Sequence, residues 1–292
     1  MSRAAFPLAA RLARNPRVLL GVLVLAVLLA CALFAPWVAP HDPLAQDLMA
    51  PLQPPAWSAD ALPVEAGQAP HWLGTDNLGR DVLSRLIWGA RTALIVALAA
   101  TLLTALVGTA LGAAAGYFGG RVDAVVSRLV DVWMAFPPVL LAVVLVALLG
   151  TGLGSVILAI AVVDWTRFAR VVRAETQAQR ALDYVTSARM LGLRPLRIVA
   201  TEVLPNVAPL LMTLVTLEMG IAIVVEAILS FVGLSVSSGA STWGGMLGEG
   251  RLYVNQAPFL MVLPVLAMMV AVLGLNALGD GLRQELDPVV RA

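Results

Sequence analysis

The sequence has no lysine, so all 19 of its basic residues are arginine. A Walker A loop needs a lysine to reach the β- and γ-phosphates, and this chain cannot supply one. A pyridoxal-phosphate Schiff base is excluded for the same reason. The single cysteine, Cys31, rules out an internal disulfide and a cysteine-rich metal site. It lies inside an apolar run and reads as a small packed hydrophobe. The only two histidines, His41 and His71, fit no H-E-x-x-H pattern, and no metal site is expected. Charge is also scarce. Charged residues make up 13% of the chain, against about a quarter in soluble domains. Hydrophobic residues make up 60%, and the mean hydropathy is +0.90. Together these exclude a disordered chain, a basic nucleic-acid-binding protein and an ordinary soluble enzyme. A polytopic membrane protein remains.

A helix needs about 20 apolar residues to cross a bilayer. Val18–Ala39 is one such run. It is too long for a signal-peptide core and ends among prolines, so it reads as a retained span. Further runs cover Thr92–Gly120, Val132–Val163, Val207–Val236 and Leu252–Gly279. The run Val132–Val163 is too long for one span. The stretch Arg167–Arg197 holds seven arginines and belongs on the cytoplasmic side, as does the N-terminus. Two crossings must therefore separate Asp131 from Arg167, and Gly150–Gly154 is the expected hinge. Six spans result, with both termini cytoplasmic; 15 arginines lie inside and Arg80, Arg85, Arg91 and Arg251 outside.

Residues 40–90 form an outer segment whose first half is rich in proline, which favours extended backbone. Val82, Leu83, Leu86, Ile87 and Ala90 then recur at helical spacing with polar residues between them. This predicts an amphipathic helix at the outer membrane face, either a lead-in to the second span or part of a docking surface for an external partner. In the second span Gly108, Gly112, Gly116 and Gly120 repeat every four residues. Such spacing lets backbones approach closely, within this chain or against a second subunit.

The segment 173–206 is long for a connector. Asp183 is placed to cap a short helix that stops before Gly192. A second helix is expected over Leu193–Val203, with Pro205 opening the fifth span. From pattern alone, this segment is either a solvated basic loop or an insert for a partner's groove.

Here the sequence resembles a known family. Ala188, Gly192, Leu204 and Pro205 match the EAA loop of ABC importer permeases, while Thr186, Ser187 and Glu202 depart from it. Asp183, Tyr184, Val185, Ala188, Arg189, Leu191, Gly192, Leu204, Pro205 and Asn206 fit the version found in peptide importers. Leu73–Asp81, Gly116–Gly120, Leu229–Leu234, Trp243-Gly244 and Gly279–Arg283 also resemble landmarks of the C-type permeases for dipeptides, oligopeptides and nickel. The resemblance implies an all-α type I permease fold. It divides the chain into a tail, first span and Pro-rich loop at 1–72, and a permease core at 73–292. A coupling helix between spans four and five would carry Asp183, Tyr184, Ser187, Ala188, Arg189, Gly192, Leu204 and Pro205 to an ATPase. ATP and magnesium would be bound by one or two kinds of partner ATP-binding subunit, and this chain would hold no cofactor. A second permease, a periplasmic solute-binding protein and membrane lipid complete the implied partners; no nucleic acid is expected. The implied location is the bacterial inner membrane.

Asp164, Glu218 and Glu226 fall within or near spans, where ionisable groups face an interior or a water-filled path. They and Trp243 are the candidate pathway residues, with structural pairing as the alternative role for the carboxylates. The expected function is a peptide permease without catalytic residues of its own. The alternatives are a nickel or other small-solute permease and a proton-coupled transporter using the three carboxylates.

Overall fold

The computed structural model describes residues 11–58, 70–235 and 240–286, and its described secondary structure is helical apart from one isolated bridge between Thr75 and Asp81. The first helix, α1 (Pro16–Val38), starts where Asn15 accepts the Arg17 amide at 3.0 Å. Pro16 occupies the first turn, where its missing N–H costs nothing. The helix stops at Ala39, just before Pro40, since a residue preceding proline avoids the α conformation.

Helix α2 (Val82–Phe118) is a single helix of 37 residues. At 1.5 Å per residue it is about 55 Å long, well beyond the roughly 30 Å hydrocarbon layer. The amphipathic helix expected near residues 78–90 is the first part of α2, a lead-in to the second span. Its polar side turns inward, with Ser84 and Arg85 buried. The reason is internal charge pairing, described below.

Helices α3 (Gly120–Met134) and α4 (Pro138–Leu149) are bent from each other by 88°. Ala135–Pro137 separates them, and Pro138 takes the first turn of the new helix, where its missing N–H costs nothing. The expected break at Gly150–Gly154 is present, between α4 and α5 (Leu153–Arg180). Four described helices are long and apolar enough to cross a membrane: Pro16–Val38, Val82–Phe118, Pro195–Phe231 and Phe259–Glu285. The bent pair raises this to five. Helix α5 has the length, but Asp164, Arg167 and Arg170 interrupt its apolar character. The sixth span of the sequence reading therefore rests on α5.

Three elements follow: α6 (Asp183–Met190), α7 (Pro195–Ile198) and a π-helical turn (Val199–Val203) leading into α8 (Leu204–Phe231). The expected separate helix at Leu193–Val203 is thus continuous with the span. The Leu204 amide bonds back to the Val199 carbonyl, one residue farther than in an α-helix. That wider turn accommodates Pro205, which has no N–H to give. The short helix α9 (Trp243–Gly250) precedes α10 (Phe259–Leu286).

The glycine stripe packs within this chain. A Cβ on Gly108 would lie 2.4 Å from Phe168 Cβ. On Gly112 it would lie 2.5 Å from the Ala169 carbonyl oxygen, and on Gly116 2.6 Å from that of Arg173. All three neighbours belong to α5, so α2 and α5 touch backbone to backbone. Gly120 is not part of this contact; nothing lies within 4 Å of its Cβ position. Helix α10 approaches α1 in a similar way, with Gly274 against Val24.

Candidate functional site

At one end of the molecule, residues 47–56 run beside residues 72–78. Asp47 donates to the Leu78 carbonyl, Leu52 to Asp76 and Ala56 to Trp72, while Thr75 donates back to Gln53. The proline-rich stretch is therefore anchored by backbone bonds. Gly79 is required there, since its φ is +73° and a Cβ would meet the Asp47 carbonyl oxygen at 1.9 Å.

This pairing presents Asp76 to two arginines. Arg80 Nε donates to Asp76 Oδ2 at 2.7 Å, and Arg85 Nη1 binds the same oxygen. Both guanidinium groups also reach Glu249 Oε2 at 2.7 Å. Glu249 lies on α9, 169 residues from Arg80. The four charges balance, which allows Asp76, Arg80 and Arg85 to be buried while Glu249 stays 40% exposed. They tie α9 to the start of α2. Trp243 adds a second tie: its indole N–H donates to the Leu86 carbonyl at 3.0 Å, and its ring lies against Gly89. The structure thus places this pathway candidate as a buried anchor between α9 and α2. Residues 236–239, which precede α9 in the sequence, lie outside the described residues.

In the body of the molecule, Asp164 and Glu218 meet around Arg167. The guanidinium lies 3.6 Å from each carboxylate. Both carboxylates are buried, and Glu218 Oε1 has no hydrogen-bond partner among the described residues. Glu226 stands apart, accepting from Ser235 Oγ at 2.9 Å. The three candidate carboxylates are therefore two sites. A groove of about 340 Å³ is lined by Asp164, Arg167, Pro138, Gly220, Val272 and Asn276, among others. Asp164 borders it directly.

At the opposite end, α6 stands on an aromatic base. Val185 and Ala188 turn inward against Tyr117, Ile198, Val203 and Val207. The Tyr184 hydroxyl donates to Gln179 Oε1 at 2.6 Å and accepts from Asn206 Nδ2 at 3.4 Å. Partial burial raises the Tyr184 phenol above its usual value. The Arg189 guanidinium lies 5.0 Å over the Tyr117 ring.

The N-cap of α6 is Leu182, not Asp183. Asp183 occupies the first turn, where its charge favours the positive end of the helix without a capping bond. The C-terminus follows the expectation. Leu193 N–H bonds to the Ala188 carbonyl and Gly192 N–H to that of Arg189, a Schellman pair around a left-handed Gly192 with φ +76°.

Of the residues expected to dock a partner, Asp183, Ser187, Arg189, Gly192 and Pro205 are exposed. Ala188 is buried, Tyr184 is half-buried, and Leu204 and Pro205 lie at the start of α8. The sequence reading did not pick out Met190, which is 79% exposed, or Leu196, which is 74% exposed. Leu191, 81% exposed, entered it only as a motif match. The available signal was apolar residues clustered around a glycine stop in an otherwise basic segment.

Residues 108–292 match the family described as binding-protein-dependent transport system inner membrane component. Residues 8–55 match the N-terminal TM domain of oligopeptide transport permease C. The chain is 42% identical to the di/tripeptide transport system permease protein DppC of Pseudomonas aeruginosa, covering 96% of this chain and 90% of that one. It is 36% identical to the dipeptide transport system permease protein DppC of Haemophilus influenzae, covering 95% and 92%. It is 38% identical to the nickel transport system permease protein NikC of Escherichia coli K12, covering 92% and 93%. Among solved structures, an inward-facing form of the MetNI methionine ABC transporter matches with a TM-score of 0.57. That match is 19% identical and covers 69% of this chain and 96% of the other, so it speaks to the fold alone. Long apolar helices, a helical permease fold and near full-length relatives agree: the chain belongs to the family of binding-protein-dependent transport system inner membrane components and is a permease subunit of an ABC importer.

Proposed function

We propose that this chain pairs with a second, homologous permease to carry di- or oligopeptides across the inner membrane, driven by separate ATP-binding subunits. In this reading the polypeptide crosses six times, with both termini in the cytoplasm. Helix α6 is then cytoplasmic, and the end bearing Asp76 faces a periplasmic solute-binding protein. ATP and magnesium bind to the partner ATPases, which supply the hydrolysis.

The observation that carries the reading is the shape of α6. Its inner face is fixed by Val185 and Ala188, while Met190 and Leu191 project into open surroundings. Apolar tips on a well-anchored helix suit a cleft in another chain. Closure of two ATPases around bound ATP would pull α6. The continuous helical path from Pro195 to Phe231 would pass that pull to Glu218 and the groove beside Asp164 and Arg167.

The peptide assignment draws on the two peptide permeases among the relatives described above, and the nickel permease keeps metal transport as the second reading. The test is ATP-driven uptake in proteoliposomes containing the whole assembly, with labelled dipeptide and labelled Ni²⁺ compared. Dipeptide uptake supports the first reading, and nickel uptake alone overturns it. Co-purification of a second permease and a Walker A subunit is expected. Purification of this chain without either, together with uptake driven by a proton gradient, would sink the ATP-coupled assembly.

A further inference from the structure

The sequence contains two histidines, 30 positions apart, and the fold brings them together. The His41 and His71 ring centroids are 4.4 Å apart, with the rings tilted by 31°. Asp81 joins them, its Oδ1 lying 2.9 Å from His71 Nδ1. One potential ligand atom from each residue falls within 4.8 Å of the other two. His41 Nε2 is buried and has no hydrogen-bond partner among the described residues. A buried polar nitrogen without a partner is costly and calls for an explanation.

The surroundings already do what a ligand shell needs. Asp81 Oδ2 is occupied, accepting from both the amide and the hydroxyl of Ser84 at 2.7 Å. That leaves Oδ1 directed at the histidines. Ser84 Oγ also accepts the His41 amide at 3.0 Å, so one serine holds two of the three residues. The neighbouring arginines do not compete for Asp81, because Arg80 and Arg85 are engaged with Asp76 and Glu249. Asp81 is buried, whereas the His71 side chain is 27% exposed, which gives an entry route for an ion.

From these contacts we propose that His41, His71 and Asp81 bind a divalent transition-metal ion of the zinc class. Two imidazoles and one carboxylate form a donor set suited to such ions, with water completing the coordination. Tetrahedral ligation at about 2.1 Å places ligand atoms about 3.4 Å apart. Asp81 and His71 already lie within that spacing, and binding would require His41 to move toward them. The bound ion would cross-link the segment after α1 to the loop before α2. It would be a resident ion of the outer end, and its presence does not depend on whether the cargo is a peptide.

The test uses the full-length chain in detergent, purified without a polyhistidine tag and stripped with a chelator. Zn²⁺ is titrated against a chromophoric chelator, and bound metal is counted by mass spectrometry. One zinc per chain is expected, with affinity reduced at least tenfold in both His41→Ala and His71→Ala. The metal-free His41→Ala chain should unfold at the parent's midpoint, which separates lost ligation from lost fold. Zinc should raise the midpoint of the parent but not of that variant. Co²⁺ should give a visible ligand-field spectrum in the parent that His41→Ala abolishes. Binding well below one equivalent, or equal affinity in parent and His41→Ala, overturns the site. Neither outcome bears on dipeptide uptake, so the transport reading stands or falls separately.

Discussion

The two ends of this permease solve opposite problems with similar materials. At the Asp76 end, four charges from three segments close on one another and bury most of themselves. At the α6 end, the arginines stay mostly in solvent, and Met190, Leu191 and Leu196 point outward. The charges of the first end pair within one chain, although Met49 and Trp57 stay exposed beside them, while the second has a packed inner face and an apolar outer one. The Asp76 end spends its charges on one another, whereas the α6 end leaves apolar side chains in the open.

Substitutions sharpen this contrast, and the largest effect is expected at the Asp76 end. Arg85→Ala leaves two carboxylates facing one guanidinium in a buried setting. Removing one member of such a pair costs about 3–5 kcal/mol. Denaturant unfolding in micelles should show that loss; a cost below about 1 kcal/mol would mean the network is mostly solvated. Gly112→Leu comes next, because its side chain would press on the Ala169 backbone. The expected cost of overpacking is about 1–3 kcal/mol, read by the same unfolding assay. Gly192→Ala imposes a left-handed conformation on a residue with a Cβ, at about 1 kcal/mol. Nothing crowds that position within the chain, so any larger effect would come from outside it. The smallest effect on stability, within about 0.5 kcal/mol, is expected for Leu191→Asp, an exposed site. Its ATP-driven uptake in the full assembly should nevertheless fall at least tenfold. A variant that transports normally would end the contrast between the two ends.

Much of this organisation was legible in the sequence. Apolar runs located the long helices because lipid tolerates little else over that length. Gly192 marked the end of α6 because few other residues adopt a left-handed stop. The misread features share a cause. Ser84 and Arg85 looked like the solvent side of a surface helix, but the charge that pulls the arginine inward comes from Glu249, far along the chain. Pro205 opens the α-helical part of the span as expected, but the π turn before it joins that span to Pro195–Val203 without a gap. Asp183 looked like a cap but sits one position inside the helix. Asp164 and Glu218 stand out together as carboxylates near spans, but no spacing rule indicates that Arg167 stands between them. His41 and His71 were dismissed for want of a local motif, since their proximity arises only when the loop folds back. Long-range pairing of polar groups is what periodicity cannot reveal.

The contact made by Gly108, Gly112 and Gly116 constrains how the molecule can change shape. Helices whose backbones touch at three successive turns cannot slide or pivot on soft side chains. Helices α2 and α5 therefore behave as one solid piece, and a transport cycle must place its hinges elsewhere. The boundary of α8 with α5 near Arg167, where the groove opens, is where one moving part can separate from another.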